Sequence, residues 1–310
     1  MGQRIVLGTR GSDLARTQTG MVIDELRSHW ADLDLEQKII RTSGDANSVS
    51  SDLESARAGR KGLFTAEIEQ ALLAHEIDAA VHSAKDLPSE LNPATEVAAA
   101  LMRGPVDDVL LSLMECDLGS IPVDGIVATG SVRRKHQLRW KRPDLEIVDL
   151  RGNVPTRLRK LATDQWHAMI LARAGLERLG LTFGNGQIRF EETEYFSVVL
   201  STDIFVPAGG QGTIAVQIRK DDDRMRMLLE SINHFDTRLA LRAEREFLRL
   251  LHGDCNQPVG VLATVDGTVM KMRAQIFSLE ATTPRQAQIE GPSEDAEQLA
   301  AALWKKINAT

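Results

Sequence analysis

Short apolar runs alternate with amphipathic segments through the first two thirds of the chain. The runs have the length of buried strands, and the segments between them carry apolar residues at helical spacing, as Leu14, Val22 and Leu26 do. Alternating strands and helices predict an α/β fold with parallel sheets, where ligands bind at the carboxyl ends of the strands. The first series comprises predicted strands at Ile5 to Leu7, Gln37 to Arg41 and Asp78 to Ser83, and a helix at Phe64 to His75.

A second series follows Arg103-Gly104-Pro105, which is typical of a hinge. The turn from Pro207 to Gly212 then precedes a strong predicted strand, Ile214 to Ile218. We expect this strand to return to the first domain, so that the chain crosses between two domains twice. The strands predicted for the second series are Ile126 to Ala128, Glu146 to Leu150 and Ala168 to Ala172.

The rest of the chain predicts a small α+β domain. Asp236 can cap a long helix that ends at His252-Gly253, a hairpin is expected around Asp266-Gly267, and an amphipathic helix fits the end of the chain from about Ser293 to Ile307. The expected domains are residues 1–102 with 203–220, residues 106–201, and residues 223–310.

Composition narrows the class of protein. The 310 residues are 43% hydrophobic and 26% charged, which is typical of a soluble globular protein, and the net charge of −7 disfavours general nucleic-acid binding. The two cysteines, Cys116 and Cys255, show neither a disulfide framework nor metal-ligand spacing. With no signal peptide and no apolar run of membrane length, we expect a cytoplasmic protein.

Cationic residues gather where predicted strands give way to loops or helices. Helix starts offer free N–H groups and a partial positive charge, and arginine adds a planar fork that matches a carboxylate. A pair of adjacent arginines is usually a solvated surface pair, but recurrence at equivalent strand ends favours a cleft for a ligand with several negative charges. The four turns are Thr9-Arg10-Gly11-Ser12, Ser83-Ala84-Lys85-Asp86, Thr129-Gly130-Ser131-Val132-Arg133-Arg134 and Leu150-Arg151-Gly152-Asn153-Val154-Pro155-Thr156-Arg157.

Two further residues are candidates for chemistry. Asp86 next to Lys85 is either a surface ion pair or, in an arginine-lined cleft, the one acceptor among many donors, where we expect it to stay ionised. Cys255 lies in a glycine-flanked turn, where a thiol is more reachable than a buried cysteine, but no activating base is evident beyond His252. Cys116 fits ordinary packing.

Together these residues resemble the hydroxymethylbilane synthase family, also called porphobilinogen deaminase. The resemblance covers nearly the whole chain, in order. Its motifs are Thr9 to Ala15 with Gln18, Lys61 to Glu69, Ala80 to Pro88, Gly130 to Arg134, Leu150 to Arg157, Ile170 to Leu176, Gly210 to Gly212 and Gly253 to Gly260.

The resemblance implies two doubly wound domains like those of periplasmic binding proteins, plus a small α+β C-terminal domain. It implies a transferase that joins four porphobilinogen molecules head to tail, releases ammonia at each step and frees hydroxymethylbilane by hydrolysis. Its primer is a dipyrromethane held by a thioether, and Cys255 matches the attachment position. No metal is expected.

The resemblance also implies roles for individual residues. Asp86 matches the catalytic aspartate. Apart from the resemblance, the polar segment Ser43 to Lys61 is long for a structureless loop, so we expect a lid there and assign Lys61 and Phe64 to it. Positions that match primer binding are Ser83, Lys85, Asp86, Thr129, Ser131, Arg133 and Arg134. Positions that match substrate or chain binding are Arg10, Ser12, Gln18, Arg151, Arg157 and Arg178.

Three positions depart from the family pattern as we expect it, namely Gly11, Gly130 and Asp254. An anion-binding protein of the two-lobed type is the rival interpretation, but it gives Cys255 no role. A cysteine hydrolase is weaker, since the thiol lacks a clear activating partner. We expect a monomer that acts on a small molecule, without nucleic-acid or membrane partners.

Overall fold

The computed structural model describes residues 4–42, 65–251, 258–278 and 283–309. Its first sheet has five strands in the order β2-β1-β3-β11-β4. Buried Leu7, Val22, Leu26 and Val216 form part of the core between this sheet and its helices. The elements of this part are β1 (Arg4–Thr9), α1 (Asp13–His29), β2 (Asp34–Ile39), α2 (Ala66–Leu73), β3 (Ala79–Ser83), a 3₁₀ helix (Ala84–Asp86), β4 (Thr95–Ala100) and β11 (Ile214–Arg219).

The second sheet has six strands in the order β7-β6-β8-β5-β10-β9. Its core packs the buried side chains of Leu111, Leu158 and Tyr195 against the helices. The elements are β5 (Asp108–Ser112), β6 (Ile126–Ala128), α3 (Val132–Lys141), β7 (Glu146–Val148), α4 (Val154–Thr163), β8 (Ala168–Ala172), α5 (Arg173–Arg178), β9 (Gln187–Phe190) and β10 (Thr193–Leu200).

The third sheet is an antiparallel meander of three strands that packs against two helices. Phe247 on the longer helix is fully buried in this core. Its first two strands are joined at Asp266 and Gly267, where glycine has φ of 57°. The elements that follow β11 are α6 (Asp223–Glu230), α7 (Phe235–Leu250), β12 (Val259–Asp266), β13 (Val269–Ile276), β14 (Arg285–Pro292), a 3₁₀ helix (Ser293–Asp295) and α8 (Ala296–Asn308).

The expected fold class is confirmed, but the two larger sheets are not purely parallel as predicted. β1 pairs in parallel with β2 and β3, and β6 pairs in parallel with β7 and β8. The returning strand β11 lies in the first sheet, antiparallel to both β3 and β4, and β5 is antiparallel to β8. A strand that arrives from the other sheet has no crossover helix to fix its direction, so the parallel rule does not apply to it.

Side-chain caps fix where the site-forming helices begin. The Ser12 hydroxyl accepts a hydrogen bond from the Ala15 N–H at 3.3 Å, and Ser131 accepts one from Arg134 N–H at 3.4 Å. The predicted cap at Asp236 is wrong, because α7 begins one residue earlier. His234 is the cap, and its Nδ1 accepts from the Thr237 N–H at 3.2 Å.

No helix in the described ranges is long and apolar enough to cross a bilayer. Within those same ranges, no three His, Cys, Asp or Glu side chains lie together in a way that could hold a metal ion. Half-buried Cys116 packs at the edge of a hydrophobic cluster of the second sheet, which agrees with a packing role.

Candidate active site

The carboxyl ends of β1 and β3 form one wall of the candidate site. Gln18 on α1 donates from Nε2 to Ser83 Oγ at 2.9 Å, and the Ser83 hydroxyl donates back to Gln18 Oε1 at 3.0 Å. This exchange joins the first helix to the end of β3. A cavity opens beside the pair, and its lining includes Arg10, Ser12, Gln18, His82, Ser83 and Asp86.

The 3₁₀ helix after β3 places Lys85 and Asp86 side by side, both half-buried. Burial lowers the pKa of Lys85 to about 8, while the charge of Asp86 opposes the shift and Arg134 reinforces it. Lys85, from the first sheet, is therefore within range of the charge of Arg134, from the second. A Cβ at Gly210, where φ is 79°, would lie 2.9 Å from Lys85 N. Glycine therefore lets residues 207–212, the second segment that crosses between the first two sheets, approach this turn.

His82 is buried behind this wall and is neutral at physiological pH. Burial lowers its pKa to about 4, although a hydrogen bond with Gln217 partly opposes the shift. Its Nε2 lies 3.0 Å from Gln217 Oε1, and Gln217 Nε2 donates to Glu69 Oε2 and Thr95 Oγ1 at 2.9 and 2.8 Å. These contacts give His82 a structural packing role.

The opposite wall is the start of α3. Arg133 and Arg134 are each 6% exposed, and both pair with the fully buried carboxylate of Asp108, at 2.9 and 2.7 Å. Thr129 precedes them, buried at the end of β6, and its hydroxyl accepts from the Ser131 N–H at 3.3 Å. The two guanidiniums are therefore held in place inside the protein. They do not form the solvated surface pair that two adjacent arginines usually form.

Gly130 has a structural explanation. A Cβ at this position would overlap the carbonyl oxygen of Leu150, which belongs to the next strand end. Glycine therefore allows the turns after β6 and β7 to approach each other. This brings the start of α3 close to the segment that leads into α4.

That segment carries the second arginine group. Asn153 caps α4 by accepting from the Thr156 N–H at 2.9 Å, and Arg157 donates from Nε to Gly152 O at 2.7 Å. Burial lowers the pKa of Arg157 to about 10, Arg134 lowers it further, and Asp86 raises it. Arg157 is thus influenced by Arg134 from one wall and by Asp86 from the other, whereas Arg151 is exposed.

Arg178 is half-buried at the end of α5 and donates from Nη2 to Gly212 O at 2.5 Å. Burial lowers its pKa to about 10, and the charge of Glu177 partly opposes this shift. Arg178 therefore contacts the second crossing segment.

Comparison with known proteins gives the family. Residues 5–227 match the model described as porphobilinogen deaminase, dipyromethane cofactor binding domain, and residues 238–309 match the porphobilinogen deaminase C-terminal domain. The chain belongs to the porphobilinogen deaminase family. The porphobilinogen deaminase of Moorella thermoacetica is 42% identical over 98% of this chain and 93% of its own length. That of Syntrophomonas wolfei is 46% identical over 88% of this chain and 85% of its own.

Among solved structures, the BenM effector binding domain is similar in fold, at 12% identity and a TM-score of 0.42, covering 75% of this chain and 91% of that chain.

The family motifs include three predicted site positions that lie outside the described residues, namely Cys255, Lys61 and Phe64. The lid segment from Ser43 to Lys61 also lies outside them. The described part of the chain brings Ser83, Lys85 and Asp86 into one region with Arg133, Arg134 and Arg157.

Sequence reasoning missed the carboxylate that organises this deaminase-family site. Asp108 opens β5, and Gln211 donates from Nε2 to its Oδ1 at 2.8 Å. Arg245 on α7 was also missed; burial lowers its pKa to about 10, and it donates to Ser89 O at 3.2 Å. The available signal was weak: Asp107-Asp108 stands at the start of an apolar run, where a buried acid requires a cationic partner.

Proposed function

We propose that this chain is a hydroxymethylbilane synthase, which joins four porphobilinogen molecules head to tail with release of ammonia and then frees hydroxymethylbilane by hydrolysis. One observation carries the proposal. Lys85 and Asp86 from the first sheet lie within range of the charges of arginines from the second: Asp86, Arg133 and Arg134 act on the pKa of Lys85, and Arg134 and Asp86 act on that of Arg157. Such a cluster suits a substrate with an acetate and a propionate, which adds two carboxylates per ring.

The donors present fit a dipyrromethane primer. Arg133 and Arg134 each retain a buried Nε–H without a hydrogen-bond partner in the described ranges. Burying an unpaired donor costs about 1–3 kcal/mol, which carboxylate acceptors would recover. The primer, when bound, supplies the pyrrole carbon to which the first substrate ring is joined. We assign its attachment to the thiol of Cys255.

The primer-binding residues are Ser83, Lys85, Asp86, Thr129, Ser131, Arg133 and Arg134. Lys85 supplies an ammonium opposite the two buried guanidiniums, so that cations outnumber carboxylates where the primer is held. Ser131 fixes the start of α3 and thereby the backbone that carries both arginines. The uncapped N–H groups of that first turn favour an anion further.

The incoming ring and the growing chain are assigned to Arg10, Ser12, Gln18, Arg151, Arg157 and Arg178. Three of them, Arg10, Ser12 and Gln18, line the cavity beside Asp86. Arg157 lies within the field of Asp86 as well, which supports a place next to the reacting ring. Lys61 and Phe64 are proposed to belong to a lid.

Asp86 is proposed as the catalytic residue. Its carboxylate lies in the cavity wall, beside Lys85 and within reach of the charge of Arg157. Loss of ammonia leaves a cation on the substrate pyrrole, and an ionised carboxylate fixed next to that ring would stabilise it. The same carboxylate can accept a hydrogen bond from the pyrrole N–H and so orient the ring.

The proposed organisation is three domains, at residues 1–102 with 203–220, 106–201 and 223–310. The three separate sheets and the place of β11 in the first sheet support this division. We further propose that the enzyme is a cytoplasmic monomer without nucleic-acid or membrane partners; its net charge of −7 disfavours general nucleic-acid binding.

Intact mass spectrometry and peptide mapping test the proposal. The purified protein should exceed its sequence mass by two pyrrole units, and the adduct should map to Cys255. Cys255→Ala should fold but lack both adduct and turnover, while the matched variant Cys116→Ala should keep both. An active protein without an adduct, or an adduct on Cys116, would contradict the proposal, and a two-lobed binding protein would show only its sequence mass.

A further inference from the structure

Two segments cross between the first two sheets, at residues 103–106 and 207–212. Asp108 connects these crossing segments with the arginines at the start of α3. Its carboxylate faces Arg133 Nη2 at 2.9 Å, Arg134 Nη2 at 2.7 Å and Gln211 Nε2 at 2.8 Å. Burial alone would raise the pKa of Asp108, but the charges of Arg133 and Arg134 hold it well below its usual range. A permanently ionised carboxylate therefore cancels one of the two adjacent positive charges.

Gln211 anchors this carboxylate to both crossing segments. Its Nε2 also donates to Val106 O at 2.6 Å, and its backbone carbonyl accepts from Arg103 Nε at 2.9 Å. The side chain is 1% exposed, so water does not compete with these bonds. The orientation of Asp108 thus depends on the relative position of residues 103–106 and 211.

The same network continues to the third sheet. Arg103 makes a bidentate pair with Glu244 on α7, at 2.8 and 3.0 Å. Glu244, fully buried, also accepts from the N–H groups of Gly210 and Ala263 at 2.6 and 2.8 Å. A continuous set of buried hydrogen bonds therefore runs from α7, through the crossing segments, to the start of α3.

The network leaves a defined part of each guanidinium for a ligand. Arg133 uses Nη1 on Gln137 Oε1 and Val206 O, both at 2.9 Å, and Arg134 uses Nη1 on Ile170 O at 3.1 Å. Their Nη2 groups face Asp108. The Nε–H donors remain buried without partners in the described part of the chain.

We propose that Asp108 and Gln211 are positioning residues, which fix both guanidiniums through Nη2 and leave the Nε–H donors for the primer carboxylates. The inference rests on the proposed function, because it takes Arg133 and Arg134 to be primer-binding residues. It adds that primer capture depends on the crossing segments, through Gln211. A preorganised donor costs little to fix when the ligand arrives.

Two substitutions at Gln211 separate positioning from simple packing. Gln211→Met keeps the length but removes both amide donors, so Asp108 loses one of its three partners. Gln211→Glu removes the donors and adds a negative charge beside Asp108, which competes with primer carboxylates for the guanidiniums. We expect the primed fraction, measured by intact mass, to fall in the order parent, Met, Glu, with Glu about ten-fold below the parent, as for loss of one charged hydrogen bond.

Tyr195→Phe is the matched control, because it removes a buried hydrogen bond, to Leu158 O at 3.0 Å, on the second sheet and away from Asp108. We expect it to lower the melting temperature slightly and to leave the primed fraction at the parent value. Asp108→Asn should have a still lower primed fraction than Gln211→Met. If Asp108→Asn does not fold, the two Gln211 variants still decide the test.

The inference would be overturned if both Gln211 variants had the primed fraction of Tyr195→Phe. It would also be overturned if their primed fractions merely followed their melting temperatures. A parent protein that carries no adduct would instead overturn the proposed function, and this inference with it.

Discussion

The two arginine groups of the second sheet carry the same local signal but occupy different environments. Each follows a strand and stands at the start of a capped helix. Arg133 and Arg134 are buried, and Asp108 fixes both of them. Arg151 is exposed, and half-buried Arg157 donates to Gly152 O.

This difference suggests how arginines at the start of a capped helix can bind two kinds of ligand, one that stays in place and one that moves. Buried, paired guanidiniums lose no further freedom when a ligand binds, so they suit a primer that stays in place. Exposed or half-buried arginines can follow a chain that lengthens and moves, at the cost of ordering each side chain anew. We therefore assign the fixed group to the primer and the looser group to the growing chain.

The largest effect is expected for Arg134→Leu. The substitution leaves Asp108 with one cationic partner inside the protein, and breaking a buried ion pair costs about 3–5 kcal/mol. Because Arg133 and Gln211 still contact Asp108, we expect about 3 kcal/mol of lost stability, with almost no primer retained. Denaturant unfolding and intact mass measure the two effects.

Arg159→Leu is the control for this loss, because Arg159 on α4 forms an exposed ion pair with Glu191 at 2.6 Å. Exposed pairs contribute about 0–1 kcal/mol, so stability and priming should stay near the parent values. Equal stability losses in the two variants would remove the basis for calling the first group fixed.

Asp86→Asn should lower turnover and leave the primer in place. The charge of Asp86 acts on Lys85, which we assign to the primer, and on Arg157, which we assign to the substrate. Asn keeps the size but removes the charge that offsets a cationic pyrrole, and we expect turnover to fall by about 10²–10³ with the primer retained. Asp149→Asn, at an exposed pair with Lys135, is the control. Near-normal turnover in the Asp86 variant would refute the electrostatic role.

Arg157→Leu should yield a stable, primed enzyme with weakened substrate binding. Loss of one charged hydrogen bond corresponds to about one to two powers of ten in binding, and we expect KM for porphobilinogen to rise by that factor. Steady-state kinetics provide the measurement, again with Arg159→Leu as control. A variant that lost its primer would place Arg157 in the fixed group.

The smallest effect concerns pH and Lys85, which joins the fixed group from the first sheet. Its pKa of about 8 lies below the usual 10.5, so the folded ammonium loses its proton as pH rises through 8. Between pH 8 and 10.5 the unfolded chain binds more protons, and Lys85 therefore makes the protein more stable as pH rises.

Primer capture should change in the opposite direction, because the site loses a cation. We expect the primed fraction, measured by intact mass after exposure to porphobilinogen at each pH, to fall above pH 8 in the parent, and this step should be absent from Lys85→Met. Stability curves of the two proteins should converge between pH 8 and 10.5. A parent-like pH profile of priming in Lys85→Met would show that another group titrates.

Local chemistry explains which parts of the fold the sequence could predict. Apolar runs such as Ala168–Ala172 and Ile126–Ala128 are bounded by turn residues, and their strands have the predicted limits. Ser12 and Ser131 cap the helices as expected, because a hydroxyl before an amphipathic segment satisfies a free N–H. The strand Thr95–Ala100 was not predicted, because its alanine-rich run shows neither the helical nor the strand spacing of apolar residues clearly.

Long-range pairings could not be predicted in the same way. The direction of β11 depends on where the crossing segment enters the first sheet, which no local pattern records. Asp108 contacts residues 25, 26 and 103 positions away, so its role is visible only after both walls are folded. The sequence therefore singled out Arg133 and Arg134 but not the buried carboxylate with which both of them pair.

The mass ladder of Arg133→Leu and Arg151→Leu, recorded before and after addition of porphobilinogen, tests the assignment of the two arginine groups most directly. We predict that Arg133→Leu is isolated with little primer and forms few adducts. Arg151→Leu should be isolated with the full primer mass and accumulate intermediate chain lengths. If both variants gave the ladder of the parent, or exchanged these behaviours, the division between a fixed primer group and a looser chain group would be wrong.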